Sequence, residues 1–174
     1  SLNANTAKKV SVPGTVEEYM TVSDWPQPTD FSGISWWFRT LDIPKDLKDA
    51  TFILEFGAVR MRAEVYLDGQ LVAYDIVGET PFEANVTKAI RPGEKQLLAV
   101  RVTNPGGNFH WQDFDVMNWG KYLIPPGRGF GGILGDVNLK ALNPVYISDI
   151  YMQNTPQKTK VNAIISIRNL TDRK

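Results

Sequence analysis

Residues 109 to 120, FHWQDFDVMNWG, hold four aromatic side chains, two aspartates and the only histidine of the 174-residue chain. Two kinds of chemistry are open to such a set. If the segment is a strand, Asp113 and Asp115 share one face with Cα atoms roughly 6 to 7 Å apart. That spacing permits an acid and base pair without requiring one. The second chemistry is sugar binding. A pyranose offers a C–H face that stacks on an indole or phenyl ring, and its rim of hydroxyls needs carboxylates and amides as partners. Phe109, Trp111, Phe114 and Trp119 supply the rings, and His110, Asp113, Asp115 and Asn118 the polar atoms. The segment has three open roles: ligand contact, packing against a neighbouring domain, or a core strand. The change from aromatic to charged across Trp111, Asp113 and Asp115 argues against a plain core stripe.

Other chemistries lack their residues. A tight zinc centre needs three or four converging ligands, and His110 has no second histidine or cysteine to join it, so no metal and no cofactor are expected. Gly127, Gly129, Gly131 and Gly132 imitate a phosphate loop, but no helix-forming run follows them, and a loop is the expected reading. Nineteen basic and nineteen acidic residues leave a formal net charge of zero with no like-charged run. Neither nucleic acid nor an anionic membrane is an expected partner of such a surface. No apolar stretch approaches the roughly 20 residues of a spanning helix. The compartment stays open, with a periplasmic or secreted location preferred to a cytoplasmic one.

The elements that must position these residues read as strands. Period-two alternation bounded by turn residues runs through 36 to 43, 50 to 59, 63 to 75, 82 to 87, 96 to 104, 135 to 142, 145 to 153 and 160 to 169. Asp68-Gly69 is placed to make a type I′ hairpin turn, and Arg91-Pro92-Gly93-Glu94 a second turn. Helical signals are confined to short turns near 15 to 20 and 86 to 91. Strands with one apolar face need a second sheet to cover them, so an all-β sandwich is expected. Trp36 and Trp37 are adjacent, which sends one inward and the other out; the outward ring is expected to meet a neighbouring domain rather than a sugar. After Asn143-Pro144 a fresh pair of strands begins; two strands alone are marginal, so they either join the first sandwich or, the preferred reading, open an immunoglobulin-like domain.

Taken in order, VSVPGTVEE (10 to 18), GISWWFRTLDIP (33 to 44), the stretch from EVYLDGQLVAYD to LLAVRVTN (64 to 104) and GGILGDVNLKALNPVYISDIYMQ (131 to 153) resemble the N-terminal jelly-roll domain of glycoside hydrolase family 2, the family of β-galactosidases, β-glucuronidases and β-mannosidases. The likeness covers most of residues 10 to 153. It implies a jelly-roll, galactose-binding-domain-like β-sandwich over residues 8–143, followed by a truncated immunoglobulin-like segment over 144–174. Leu134-Gly135 stands where the family often has an aromatic and an arginine, and KYLIPPGRGFGG (121 to 132) is longer than the family pattern.

In that family the acid and nucleophile carboxylates of the retaining mechanism, roughly 5 Å apart, lie on a later barrel domain. The resemblance therefore implies a non-catalytic N-terminal piece of a glycosidase acting on β-glycosides, whose partners are the catalytic barrel and, through the parent enzyme, carbohydrate. By the same resemblance Asp113, with Asp115 second, matches an aspartate that reaches a sugar hydroxyl in some relatives. Trp111, Trp119, His110 and Asn118 complete the expected contact set. The competing readings are a free-standing carbohydrate-binding module and a structural interaction domain. The exposed strands of 145–174 also offer a route to a homo-oligomer.

Overall fold

The computed structural model describes residues 4–20, 33–78, 80–104 and 131–171. Their regular elements are nearly all strands: β1 (Gly14–Thr15), β2 (Gly33–Asp42), β3 (Thr51–Phe56), β4 (Val59–Arg60), β5 (Arg62–Leu67), β6 (Gln70–Asp75), β7 (Phe82–Asn85), β8 (Lys95–Asn104), β9 (Gly132–Ile133), β10 (Val137–Leu142), β11 (Val145–Asn154) and β12 (Val161–Asn169). The one α-helix among them, α1, is the single turn Val16–Tyr19, closed at its start by Thr15 and Glu18 in a capping box.

Two antiparallel sheets form the sandwich, one in the order β2-β8-β5-β6 and the other β10-β3-β7. Alternation explains the interface between them. Leu98, Val100 and Val102 of β8, Ala63, Val65 and Leu67 of β5, and Trp37 of β2 point inward from the first sheet. Phe52, Leu54 and Phe56 of β3 meet them from the second, with Phe56 stacked on Phe82 of β7 at 4.8 Å between ring centroids. The all-β sandwich expected from the alternation, which the family resemblance implies is a jelly roll, is the observed fold.

One end is closed by the turn after β7, where Val86 and Ile90 enter the core and the Phe52 amide donates to Thr87 Oγ1 at 2.9 Å. Beside it a polar latch holds three chain segments together. The buried side chain of Gln96 accepts from the Arg91 amide at 2.6 Å and donates at 2.9 Å to both Asp68 and the Ala89 carbonyl. Asp68 accepts in addition from the Leu97 amide at 2.8 Å and from the Arg91 guanidinium at 2.6 Å. A buried amide satisfied in this way costs little, whereas one left open costs on the order of 1–3 kcal/mol. Asp68 and Gly69 take φ of 47° and 85°, the two positive angles of the expected type I′ turn.

A third, smaller sheet in the order β1-β9-β4 was not legible in the alternation, because each of its strands is only two residues long. It also corrects the expectation of a loop at Gly132, which is paired on both sides, to Thr15 and to Arg60. Its φ of 147° and the Gly14 carbonyl, which would lie 2.6 Å from an added Cβ, require glycine there.

Beyond the sandwich, β11 and β12 pair only with each other. Ser148 is an extra residue in β11, because Ile147 faces Ile167 and Asp149 faces Ser166. The bulge changes the parity of the strand. As a result Ile147 and Ile150, an odd and an even position, fall on one face with Met152, Ala163, Ile165 and Ile167. That apolar face is open to solvent, with Ile150 and Ile167 exposed by 54% and 65%. An ion pair of 3.0 Å between Arg168 and Glu83 links the ribbon to β7.

Two stability predictions follow from the core and the latch. Phe56→Ala is expected to lower unfolding free energy by about 3–5 kcal/mol in urea titration, the range for a deleted core phenylalanine. For Asp68, hydrogen bonds from the Leu97 amide and the Gln96 side chain hold the carboxyl below its ordinary range. A depressed folded-state value stabilises above the unfolded pKa and is lost as pH falls through the folded one. The advantage of the native chain over Asp68→Asn is therefore expected to be full at neutral pH and to shrink below about pH 4, the unfolded aspartate value. Urea midpoints measured from pH 7 to pH 2.5 check this.

Candidate functional site

All six residues singled out as substrate contacts, His110, Trp111, Asp113, Asp115, Asn118 and Trp119, lie outside the described residues. The two roots of the segment that carries them are described. Upstream, Asn104 ends β8 fully buried and is paired to Gly33 at the start of β2. Downstream, the Gly131 carbonyl accepts from the Val16 amide at 2.7 Å and the Gly131 amide donates to Glu17 at 3.3 Å. Both roots therefore belong to hydrogen-bonded elements of the sandwich. The small β1-β9-β4 sheet sits beside them, and β8 and β9 are in contact. Tyr19 of α1 adds an edge-to-face contact with Trp37, 6.2 Å between centroids, which ties the downstream root to the core.

Next to the upstream root, the outer face of the four-stranded sheet carries polar and aromatic chemistry. Register places Trp36, Arg101, Glu64 and Tyr74 in one cross-strand row and Phe38, Ala99, Tyr66 and Leu71 in the next. Glu64 is the hub. Arg101 forms a close ion pair with it, Arg62 reaches it at 3.4 Å, and the Tyr66 hydroxyl donates to it at 3.4 Å. Burial, with Glu64 as the second cause, pushes the Tyr66 phenol above its ordinary pKa. Trp36 lies 5.9 Å from Tyr66 and 6.2 Å from a nearly parallel Phe38, while the Arg62 guanidinium sits 5.2 Å over the Tyr74 ring.

The adjacent tryptophans divide as alternation requires. Trp37 is buried and donates to Ser35 Oγ at 3.0 Å, and Trp36 faces out. The Glu64 cluster is the feature that reading along the chain passed over. Its signal is present, since Arg62, Glu64 and Tyr66 alternate with Ala63, Val65 and Leu67, but Arg101 and Trp36 join it only through strand pairing. Among the described residues no group of three or more histidine, cysteine, aspartate or glutamate side chains is placed to hold a metal ion.

Comparison with known proteins extends the picture. Residues 5–139 match the family model described as glycosyl hydrolases family 2, sugar binding domain. A β-glucuronidase of Formosa agariphila is 28% identical over 152 residues, which cover 84% of this chain and 15% of that protein. A β-galactosidase of Thermoanaerobacter pseudethanolicus is 30% identical over 126 residues, covering 70% of this chain and 16% of the relative. Among solved structures, a Faecalibacterium prausnitzii β-glucuronidase superposes with a TM-score of 0.71 at 22% identity, over 97% of this chain and 32% of that one, and so shares the fold. The chain thus spans a small part of the length of the relatives it matches. With the sandwich, the order of its strands and the family match in agreement, the chain belongs to the sugar-binding domain family of the family 2 glycosyl hydrolases.

Proposed function

We propose that this chain is the non-catalytic N-terminal domain of a family 2 glycoside hydrolase acting on β-glycosides, and that it buttresses the catalytic barrel and lends the 109–120 loop to the sugar subsites. The observation that carries the reading is the family match over residues 5–139, together with relatives that extend far beyond the matched part. In this reading Asp113 holds a sugar hydroxyl, with Asp115, Trp111, Trp119, His110 and Asn118 around it. The described roots of the loop support it physically. The segment between them starts at buried Asn104 and ends at Gly131, so both of its ends are fixed on hydrogen-bonded backbone of the scaffold.

The reading also divides the chain into a sandwich over 8–143 and the opening strands of an immunoglobulin-like domain over 144–174. The open apolar face of the β11–β12 ribbon supports the division, since an immunoglobulin-like sandwich needs a second sheet to cover such a face.

Two measurements test the proposal. In the full-length protein, Asp113→Ala is expected to lower kcat/KM on an aryl β-glycoside by about 10–100-fold, the loss of one hydrogen bond to a charged group. An unchanged kcat/KM counts against a loop in the subsites. For the domain division, ending the chain at Asn143 is expected to leave the urea midpoint of the sandwich within about 0.5 kcal/mol of the longer chain, as for changes outside the core, and to abolish binding of an apolar dye. A collapse of the midpoint would make the ribbon part of the sandwich.

A further inference from the structure

We propose that the outer face of the β2-β8-β5-β6 sheet is an oligosaccharide-binding platform, in which Trp36, in place of the domain contact expected of the outward tryptophan, stacks with Phe38 and Tyr74 on pyranose rings and the Glu64–Arg101 pair hydrogen-bonds their hydroxyls. The inference rests on described residues alone and does not depend on the role of the 109–120 loop.

The two outer faces of the sandwich differ in kind. On the three-stranded sheet the outward positions are Thr51, Ile53, Glu55, Asn138, Lys140, Leu142, Glu83 and Asn85, mostly polar and without an aromatic ring, with Ile53 and Thr51 buried among them. On the four-stranded sheet the same positions carry aromatics arranged around an ion pair. Tyr74 is 47% exposed and Ile34 41%, so apolar surface lies open beside charges that are themselves held fast. Exposed apolar area rimmed by polar groups marks a binding surface.

Donor and acceptor balance selects the occupant. Glu64 already accepts from Arg101, Arg62 and Tyr66 and keeps one acceptor position, while Arg101 keeps donors beyond the one it gives Glu64; a sugar hydroxyl, which both donates and accepts, is matched to that remainder. An apolar protein face laid on the same surface would strip water from Glu64, Arg101 and Arg62 without replacing those hydrogen bonds, at a cost that their mutual attraction only partly offsets. Length points to a chain rather than a single ring. Trp36 and Tyr74 stand on the two edge strands of the sheet, three inter-strand spacings or about 14 Å apart. The ion pair lies between them in the same row.

The test uses calorimetric titration of the 174-residue chain with cellohexaose, mannohexaose and β-1,4-galactotetraose, and with methyl β-D-glucopyranoside as a single-ring comparator. Saturable binding is expected for at least one of the oligosaccharides, with the single ring weaker. Tyr74→Ala and Glu64→Gln are expected to weaken that binding about tenfold or more. Tyr74→Phe keeps the ring and is expected to retain it, as is Lys158→Ala on the ribbon turn. Far-UV circular dichroism of each variant shows that the fold is kept. Tyr74 sits on an edge strand, so its replacement leaves the core intact. The proposal is overturned if none of the three oligosaccharides binds, if binding survives both Tyr74→Ala and Glu64→Gln, or if Tyr74→Ala changes only the self-association of the chain, which would mark a protein interface.

Discussion

A strand paired on both sides cannot slip, and β8 is the longest such strand among the described residues. Its ten residues are matched one for one to β2, and six of them, Leu98 to Thr103, to β5 as well. A shift of one residue would turn Leu98, Val100 and Val102 to solvent and drive Arg101 into the core, a change no repacking could absorb. With register fixed in this way, the inner face becomes the hydrophobic contact between the sheets and the outer face brings Trp36, Arg101, Glu64 and Tyr74 into line. The same strand ends at buried Asn104, where the aromatic and acidic segment begins. Core, platform and loop root are three consequences of one alignment.

The latch around Gln96 works on the same strand from its other end. It joins the β5–β6 turn, the start of β8 and the turn before it through five hydrogen bonds: the Gln96 side-chain amide accepts one and donates two, and Asp68 accepts two more from Leu97 and Arg91. Polar groups placed this deep add direction as well as stability, because only one arrangement of the three segments satisfies them all. The sandwich is thus held in register by apolar alternation along its length and by polar complementarity at its closed end.

The sequence made the sheets legible because their strands are long enough for period two to stand out, and because the Asp68-Gly69 turn admits few conformations. The small β1-β9-β4 sheet stayed hidden because two residues carry no period; only the demand for glycine at position 132 hints at it. The Glu64 cluster stayed hidden for a different reason. Residues 36, 64, 74 and 101 are far apart in the chain, and strand order, which brings them together, is a property of the whole fold. Family resemblance supplied the identity of the domain, while the position of Asp113 relative to the rest of the site lies outside the described residues.

Ser148 shows how a sheet can accommodate an apparent error in its own code. Along β11 the apolar residues break step, running odd and then even, and a uniform strand would scatter them over both sides. One inserted residue restores agreement by absorbing the misplaced beat, with its hydroxyl turned to the Ser166 carbonyl at 3.3 Å. The ribbon therefore tolerates loss of a residue well at this point. Without Ser148 the ladder would be regular, with Ile147 and Ile150 two positions apart and still on one surface, whereas pairing Ser148 into the ladder would send the second half of β11 to the opposite side. Sequence comparisons among relatives would do well to read a gap at this position as a bulge removed and a surface kept.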